Sequence, residues 1–119
     1  MRPPSMPIGG GDDPGVVVIV LTTLPADADA MAAARALVTA RLAACVSVAG
    51  GMVSVYQWQG RVEESPERQL VIKTTRGRVA GIGAWLAGHH PYEVPELLVL
   101  PADGGGEAYL AWVRECTGS

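Results

Sequence analysis

A short apolar run near the N-terminus constrains the fold of this chain most strongly. Residues 16–21 read VVVIVL, so a strand over them carries apolar side chains on both faces. A second predicted strand, over residues 93–100, ends in LLVL and is apolar on both faces in the same way. Each of these strands needs cover on both sides of its sheet. The fold must therefore cover both faces of the sheet that contains these strands.

Helical patterns fall between the predicted strands. Asp27 or Asp29 can cap an alanine-rich helix that runs to about Ala44. Residues 76–89 have helical spacing of apolar side chains, and Pro91 ends that helix. After the sequence DGGG, residues 103–106, a last helix is predicted. Its apolar side chains, spaced i, i+3, i+4 and i+7 on one packing face, are Tyr109, Trp112, Val113 and Cys116.

Two further strands are predicted in the middle of the chain. Residues 45–59 are extended, with a bulge or kink at Gly50 and Gly51. The sequence GRVEESPE, residues 60–67, is predicted to form a loop or hairpin tip, and residues 68–75 return as a strand.

The order β-α-β-β-α-β-α predicts an α+β fold, a ferredoxin-like split βαβ sandwich with an additional C-terminal helix. Right-handed crossovers place both connecting helices on the same face of the sheet. The opposite face then keeps an apolar surface that needs a partner. We therefore expect the chain to associate with itself.

Composition bounds the domain organisation and the partners. The chain has 119 residues, 18% of them charged, and a net charge of −3, so nucleic-acid binding is disfavoured. The longest apolar run is too short to span a membrane. Residues 1–15 are rich in proline and glycine and are predicted to be a disordered tail. Residues 1–14 are predicted to be dispensable for stability. A single domain is predicted over residues 16–119. Unpaired Cys45 and Cys116 favour a reducing compartment, so a cytoplasmic location is expected.

Signatures of catalysis are missing from the sequence. It contains no G-x-S-x-G motif and only two histidines, and its GGM leads into a strand instead of forming a phosphate loop before a helix. We expect no enzymatic activity and no organic cofactor.

Five short motifs together resemble the CutA family of divalent-cation tolerance proteins. They are RLAACVSV, SVYQWQG, ERQLVIKTT, HHPYEVPELLVLP and GEAYLAW, and the resemblance covers Val16 to Arg114. It implies a trimer linked to copper and other divalent metals, with weak metal binding instead of catalysis. The alternative is a trimeric regulatory or scaffold module that binds a small ligand or a protein partner in intersubunit clefts. Some relatives carry a cysteine in the first strand, where this chain reads VLTTL, so a site built on that thiol is absent.

His89 and His90 allow two interpretations. A histidine at a helix C-terminus favours the helix dipole and its last carbonyls, which requires no ligand. Alternatively, an imidazole with Glu93 and Cys45 nearby forms a site suited to Cu(II) or another borderline metal. The resemblance favours weak metal binding at these four residues.

Aromatic and charged side chains on two predicted strands suggest a cleft. Tyr56 and Trp58 share one face of their strand, and Glu67 and Lys73 share one face of the next. The family resemblance places comparable residues in a cleft between subunits, to which we add Tyr92 and Glu96. A simple ion pair between Glu67 and Lys73 across strands is the other interpretation.

Overall fold

The computed structural model describes residues 13–118 as a four-stranded antiparallel sheet with three α-helices. The elements are β1 (Val17–Pro25), α1 (Ala30–Thr39), β2 (Cys45–Trp58), β3 (Arg61–Thr75), α2 (Val79–His89), β4 (Leu98–Pro101) and α3 (Glu107–Thr117). The strand order is β2-β3-β1-β4, so β3 separates β1 from β2 and β1 separates β3 from β4. This is the connectivity of two split βαβ units, and the predicted mixed α+β class is confirmed.

Helices α1 and α2 cover one face of the sheet and enclose the main core. Asp29 caps α1, as predicted, because its carboxylate accepts a hydrogen bond of 3.0 Å from the Ala32 amide. Gly81 of α2 approaches α1's end closely, since a Cβ there would lie 2.6 Å from Leu42 Cδ2. The fully buried side chains of this core include Val18, Val20, Leu37, Leu70, Ile72, Ile82 and Leu86.

The prediction that α1 continues to Ala44 is wrong, because the helix ends at Thr39 in a Schellman motif. The Leu42 amide donates to the Leu37 carbonyl and the Arg41 amide donates to the Val38 carbonyl, both at 3.0 Å. Arg41 takes the left-handed position with φ of 60°, where glycine is usual. Its guanidinium bonds the carbonyls of Glu115 and Gly118, at 2.8 and 3.1 Å. No glycine signalled this helix end.

Of the loop or hairpin tip predicted over residues 60–67, the hairpin is observed but the loop is not, because β2 and β3 continue to a two-residue turn. Gln59 and Gly60 form this turn with φ of 51° and 79°, the pair of positive angles typical of a type I′ hairpin. The predicted kink is confirmed, since the register shifts between Ala49 and Met52, and Gly51 has φ of 73°.

The fourth strand is shorter than predicted. It was expected over residues 93–100, but β4 covers only Leu98–Pro101 and pairs with β1 from Leu98 onward. Pro91 and Pro95 lack the amide hydrogens that a ladder requires, so residues 91–97 cross the end of the sheet without pairing.

The face of the sheet opposite α1 and α2 is only partly covered. Helix α3 packs over one end, where Val113 contacts Val17 and Ala44. Beyond α3, Leu98 and Leu100 are 55% and 46% exposed, and they lie opposite half-buried Leu21 and Ile19 in the ladder. We call the surface formed by Ile19, Leu21, Val71, Leu98 and Leu100 the open apolar face.

Two aromatic residues of α3 do not pack as predicted. Tyr109 and Trp112 are 47% and 42% exposed, and their rings contact each other at 5.6 Å. Leu110 and Cys116 pack beside Val113 instead.

Residues before the predicted boundary at residue 16 make contacts with the domain. The Gly77 amide donates to the Pro14 carbonyl at 3.0 Å, and Arg114 Nε donates to the Gly15 carbonyl at 2.9 Å. The tail predicted over residues 1–15 therefore does not include 13–15, and the remainder of that prediction, residues 1–12, lies outside the described residues.

These contacts change the predicted effect of truncation. A chain that begins at Val16 should lose about 1–3 kcal/mol of unfolding free energy relative to one that begins at Asp13, because two hydrogen bonds lose their acceptors. Urea denaturation of both chains and of the full-length protein measures this. Equal midpoints for the two shortened chains would show that residues 13–15 contribute nothing.

Candidate functional site

A cavity of about 720 Å³ lies between the outer half of the β2–β3 hairpin and the segment of residues 91–96. We call it the acidic cleft. Its lining residues are Thr23, Ser54, Val55, Tyr56, Trp58, Glu67, Pro91, Tyr92, Glu93, Val94, Pro95 and Glu96. Five of the six predicted cleft residues are thus brought together within one chain.

His90 fixes the segment that forms one wall of the acidic cleft. Its Nδ1 accepts a hydrogen bond of 3.0 Å from the Tyr92 amide, so the ring proton must be on Nε2. Nε2 then donates to the Thr23 carbonyl of β1 at 2.6 Å. Both ring nitrogens are engaged within the chain, which gives His90 a positioning role and leaves no lone pair for a metal.

Tyr92 and Glu67 form the polar centre of the acidic cleft. The Tyr92 hydroxyl donates to Glu67 Oε2 at 2.8 Å, and the Glu67 side chain is only 6% exposed. Burial raises the pKa of Tyr92 to about 12, and the hydrogen bond and negative charge of Glu67 act in the same direction. The tyrosine therefore stays protonated and serves as a donor to the buried carboxylate.

Glu96 lies beside this pair and lacks a donor. Within residues 13–118, its buried Oε2 has no hydrogen-bond partner. Burial raises the pKa of Glu96, and the charge of nearby Glu67 raises it further. The cleft thus holds more negative charge than its own hydrogen bonds stabilise.

Tyr56 and Trp58 form the hairpin side of the cleft. Their rings are 41% and 42% exposed, and the Tyr56 hydroxyl lies 2.7 Å from Ser65 Oγ across the hairpin. On the same strand, Val53 and Val55 are more exposed still, at 60% and 65%.

Lys73 does not join the acidic cleft. It lies six residues from Glu67 along β3, about 20 Å at normal strand rise, and its ammonium donates to Ser47 Oγ at 3.2 Å. The predicted cleft role of Lys73 is therefore not met within one chain, and neither is its alternative, an ion pair with Glu67.

His89 differs from its neighbour in having a ring nitrogen available. Its Nδ1 lies 2.7 Å from the Trp85 carbonyl, which only accepts, so Nδ1 must carry the proton. The imidazole stacks on the Trp85 ring at 4.2 Å and 7°. The Nε2 lone pair of this exposed residue remains free for a ligand.

The four predicted metal ligands do not converge within the chain. Among residues 13–118, no three His, Cys, Asp or Glu side chains are grouped to hold a metal ion. Cys45 and Ile19 both pair with Lys73, so Cys45 lies level with Ile19 of β1. His90 bonds Thr23, which lies about 13 Å farther along β1 than Ile19.

Sequence reasoning missed the residues that give the acidic cleft its shape. Pro91 and Pro95 keep their segment out of the sheet, and Thr23 supplies the carbonyl that holds His90. The two prolines that flank YEV were a readable signal, because neither fits inside a paired strand. The Thr23 carbonyl had no sequence signal.

The geometry defines a small α+β domain with a ligand-sized cleft and an open apolar sheet face. A family model described as "CutA1 divalent ion tolerance protein" matches residues 18–116. The chain therefore belongs to the CutA1 divalent ion tolerance family, as its motifs suggested, and the family is named for tolerance instead of for a reaction.

Individual relatives agree with this assignment. The divalent-cation tolerance protein CutA of Thermus thermophilus is 44% identical over 100 residues, which are 84% of this chain and 97% of the relative. The crystal structure of CutA1 from Oryza sativa has a TM-score of 0.83 at 33% identity and covers 87% of this chain and 94% of its own. The T. thermophilus structure has a TM-score of 0.82 at 43% identity, with 86% and 99% covered.

No helix within residues 13–118 is long and apolar enough to cross a membrane.

Replacement of Tyr92 by phenylalanine tests the polar centre of the cleft. The variant should lose about 1–3 kcal/mol of unfolding free energy at neutral pH, because buried Glu67 loses its donor. In the native protein, the contribution of Tyr92 should be complete below pH 10 and disappear as the pH rises towards 12, since the folded state binds the phenol proton more tightly.

Denaturant midpoints at pH 7 and above pH 10 measure both effects. Tyr109→Phe is the matched control, because that exposed ring lies outside the cleft. Equal losses in the two variants would contradict the role assigned to Tyr92.

Proposed function

We propose that the chain acts as a homotrimeric divalent-cation tolerance or response protein that binds Cu(II) weakly and does no catalysis. Membership in the CutA1 family over residues 18–116 carries the proposal, because relatives matched over nearly all of the domain are named for this tolerance. A cytoplasmic location stays a prediction from the unpaired cysteines.

The open apolar face supports self-association. Leu98 and Leu100 are about half exposed beside the half-buried side chains of Ile19 and Leu21, which makes a continuous apolar surface on a small protein. Such a surface is typical of an interface.

His89 is the side chain best suited to bind copper. Its proton is held on Nδ1 by the Trp85 carbonyl, which leaves the Nε2 lone pair directed outward. A backbone acceptor on the second nitrogen is the usual support of a metal-bound histidine. One imidazole without a preformed set of ligands is consistent with weak binding that solvent or another chain completes.

Light scattering tests the assembly. At micromolar concentration the native protein should have a mass close to three times the 12.4 kDa of one chain. Leu98→Lys should shift the protein to smaller species, because it puts a charge in the open apolar face. Met31→Lys is the control, since Met31 is 47% exposed on α1, in the helical layer. A native monomer with an intact fold would refute the trimer.

A copper titration of two single variants separates the roles of the histidines. His89→Ala should weaken Cu(II) affinity about tenfold or more, equivalent to about 1.4 kcal/mol, because the free imidazole nitrogen is removed. His90→Ala should keep near-native affinity but lose about 1–3 kcal/mol of stability, because the Tyr92 amide and Thr23 carbonyl lose their partner.

Both variants should first be shown to retain the native assembly. Unchanged copper affinity in His89→Ala would assign both histidines to structure alone. A larger loss of affinity in His90→Ala than in His89→Ala would reverse the assignment.

A further inference from the structure

The acidic cleft has a lining that metal tolerance does not explain. Within residues 13–118, its lining contains three carboxylates, from Glu67, Glu93 and Glu96, and no lysine, arginine or histidine. Its volume of about 720 Å³ lies within the range of small-molecule sites. Any occupant must therefore tolerate negative charge on several sides.

The carboxylate oxygens that are buried in the cleft receive few hydrogen bonds. A carboxylate has about four acceptor positions, yet within residues 13–118 the Glu67 side chain receives one hydrogen bond, from Tyr92. Glu96 Oε2 is buried and receives none. Buried acceptors without donors are costly, so a ligand that brings N–H groups would stabilise the site.

A metal ion does not fit this arrangement as well as an organic cation does. Among the described residues, no three carboxylates are close enough together to hold one metal ion. A hard cation such as Ca²⁺ needs six to eight oxygen ligands at distances of about 2.3–2.6 Å. The remaining lining is aromatic or apolar, with Tyr56, Trp58 and Pro95 among it. Exposed indole and phenol rings attract organic cations through their faces.

We propose that the acidic cleft binds a small organic ammonium ion. Its N–H groups donate to Glu96 Oε2 and to the Glu67 carboxylate, and its carbon skeleton lies against Trp58 and Tyr56. Positive charge at this position also offsets the two effects that raise the pKa of Glu96, which are its burial and the negative charge of Glu67. The proposal does not depend on copper binding at His89, which lies outside the cleft lining.

A series of probes with the same four-carbon skeleton tests the charge requirement. Calorimetric titration of the full-length protein at 150 mM salt would use 1,4-diaminobutane, 1,4-butanediol and succinate. The diamine should bind saturably, and the diol and the dianion at least about tenfold more weakly. Equal binding of diamine and diol, stronger binding of succinate, or no saturable binding of the diamine would overturn the proposal.

Charge-neutral variants locate the binding. Glu96→Gln should weaken diamine affinity about tenfold or more, and Glu67→Gln should do the same if it folds. Glu115→Gln on α3 is the matched control, because it removes one negative charge outside the cleft and should leave affinity unchanged.

Circular dichroism and gel filtration would first show that each variant keeps its fold and assembly. Native diamine affinity in folded Glu96→Gln, or equal losses in Glu96→Gln and Glu115→Gln, would show non-specific attraction to an acidic protein and refute the site. Loss of copper binding in His89→Ala leaves this result unaffected, so the two proposals fail separately.

Discussion

Strand β1 is buried from two sides, and this requirement organises the rest of the molecule. It lies between β3 and β4, with Val18 and Val20 facing the two connecting helices and Val17 beneath α3. Burial of each such side chain contributes about 1.5–3 kcal/mol, so both faces matter for stability. The stretch from Ile19 to Leu21 is covered on its helical face, whereas the side chains of Ile19 and Leu21 on the other face stay half-buried. In the proposed trimer a second copy would complete this cover, so self-association would continue core formation.

The acidic cleft exists because the sheet ends unevenly. The β2–β3 hairpin extends well past the point where β4 begins to pair, and Pro91 and Pro95 keep the intervening chain unpaired. A gap therefore remains between the hairpin and the segment of residues 91–96. His90 fixes one wall of this gap, because it ties the Tyr92 amide of the segment to the Thr23 carbonyl of β1. Helix termination and cleft formation are two results of the same short sequence.

Sequence reasoning predicted the features that depend on local pattern. Runs of apolar residues indicated the first and last strands, Asp29 indicated the start of α1, and the glycine pair at 50–51 indicated the bulge. It failed where tertiary contacts override local preference. The end of α1 places Arg41 in a conformation that favours glycine, and contacts with residues 115–118, far away in sequence, maintain it. The site followed the same rule: strand alternation indicated Tyr56, Trp58 and Glu67, but the tautomers of His89 and His90 depend on carbonyls that no sequence pattern reveals.

Arg41 makes two distant parts of the sequence depend on each other during evolution. Replacement by glycine would relieve about 1 kcal/mol of backbone strain at φ of 60°, but it would also remove the guanidinium that binds the last carbonyls of α3. Which residue is better at position 41 therefore depends on whether α3 is docked. In a lineage that loses this helix, glycine becomes the favoured residue, and in one that keeps it, arginine is retained. The residue favoured at position 41 should therefore follow the presence of α3 and not the side chains at 115 or 118, because backbone carbonyls more than seventy residues away accept its hydrogen bonds.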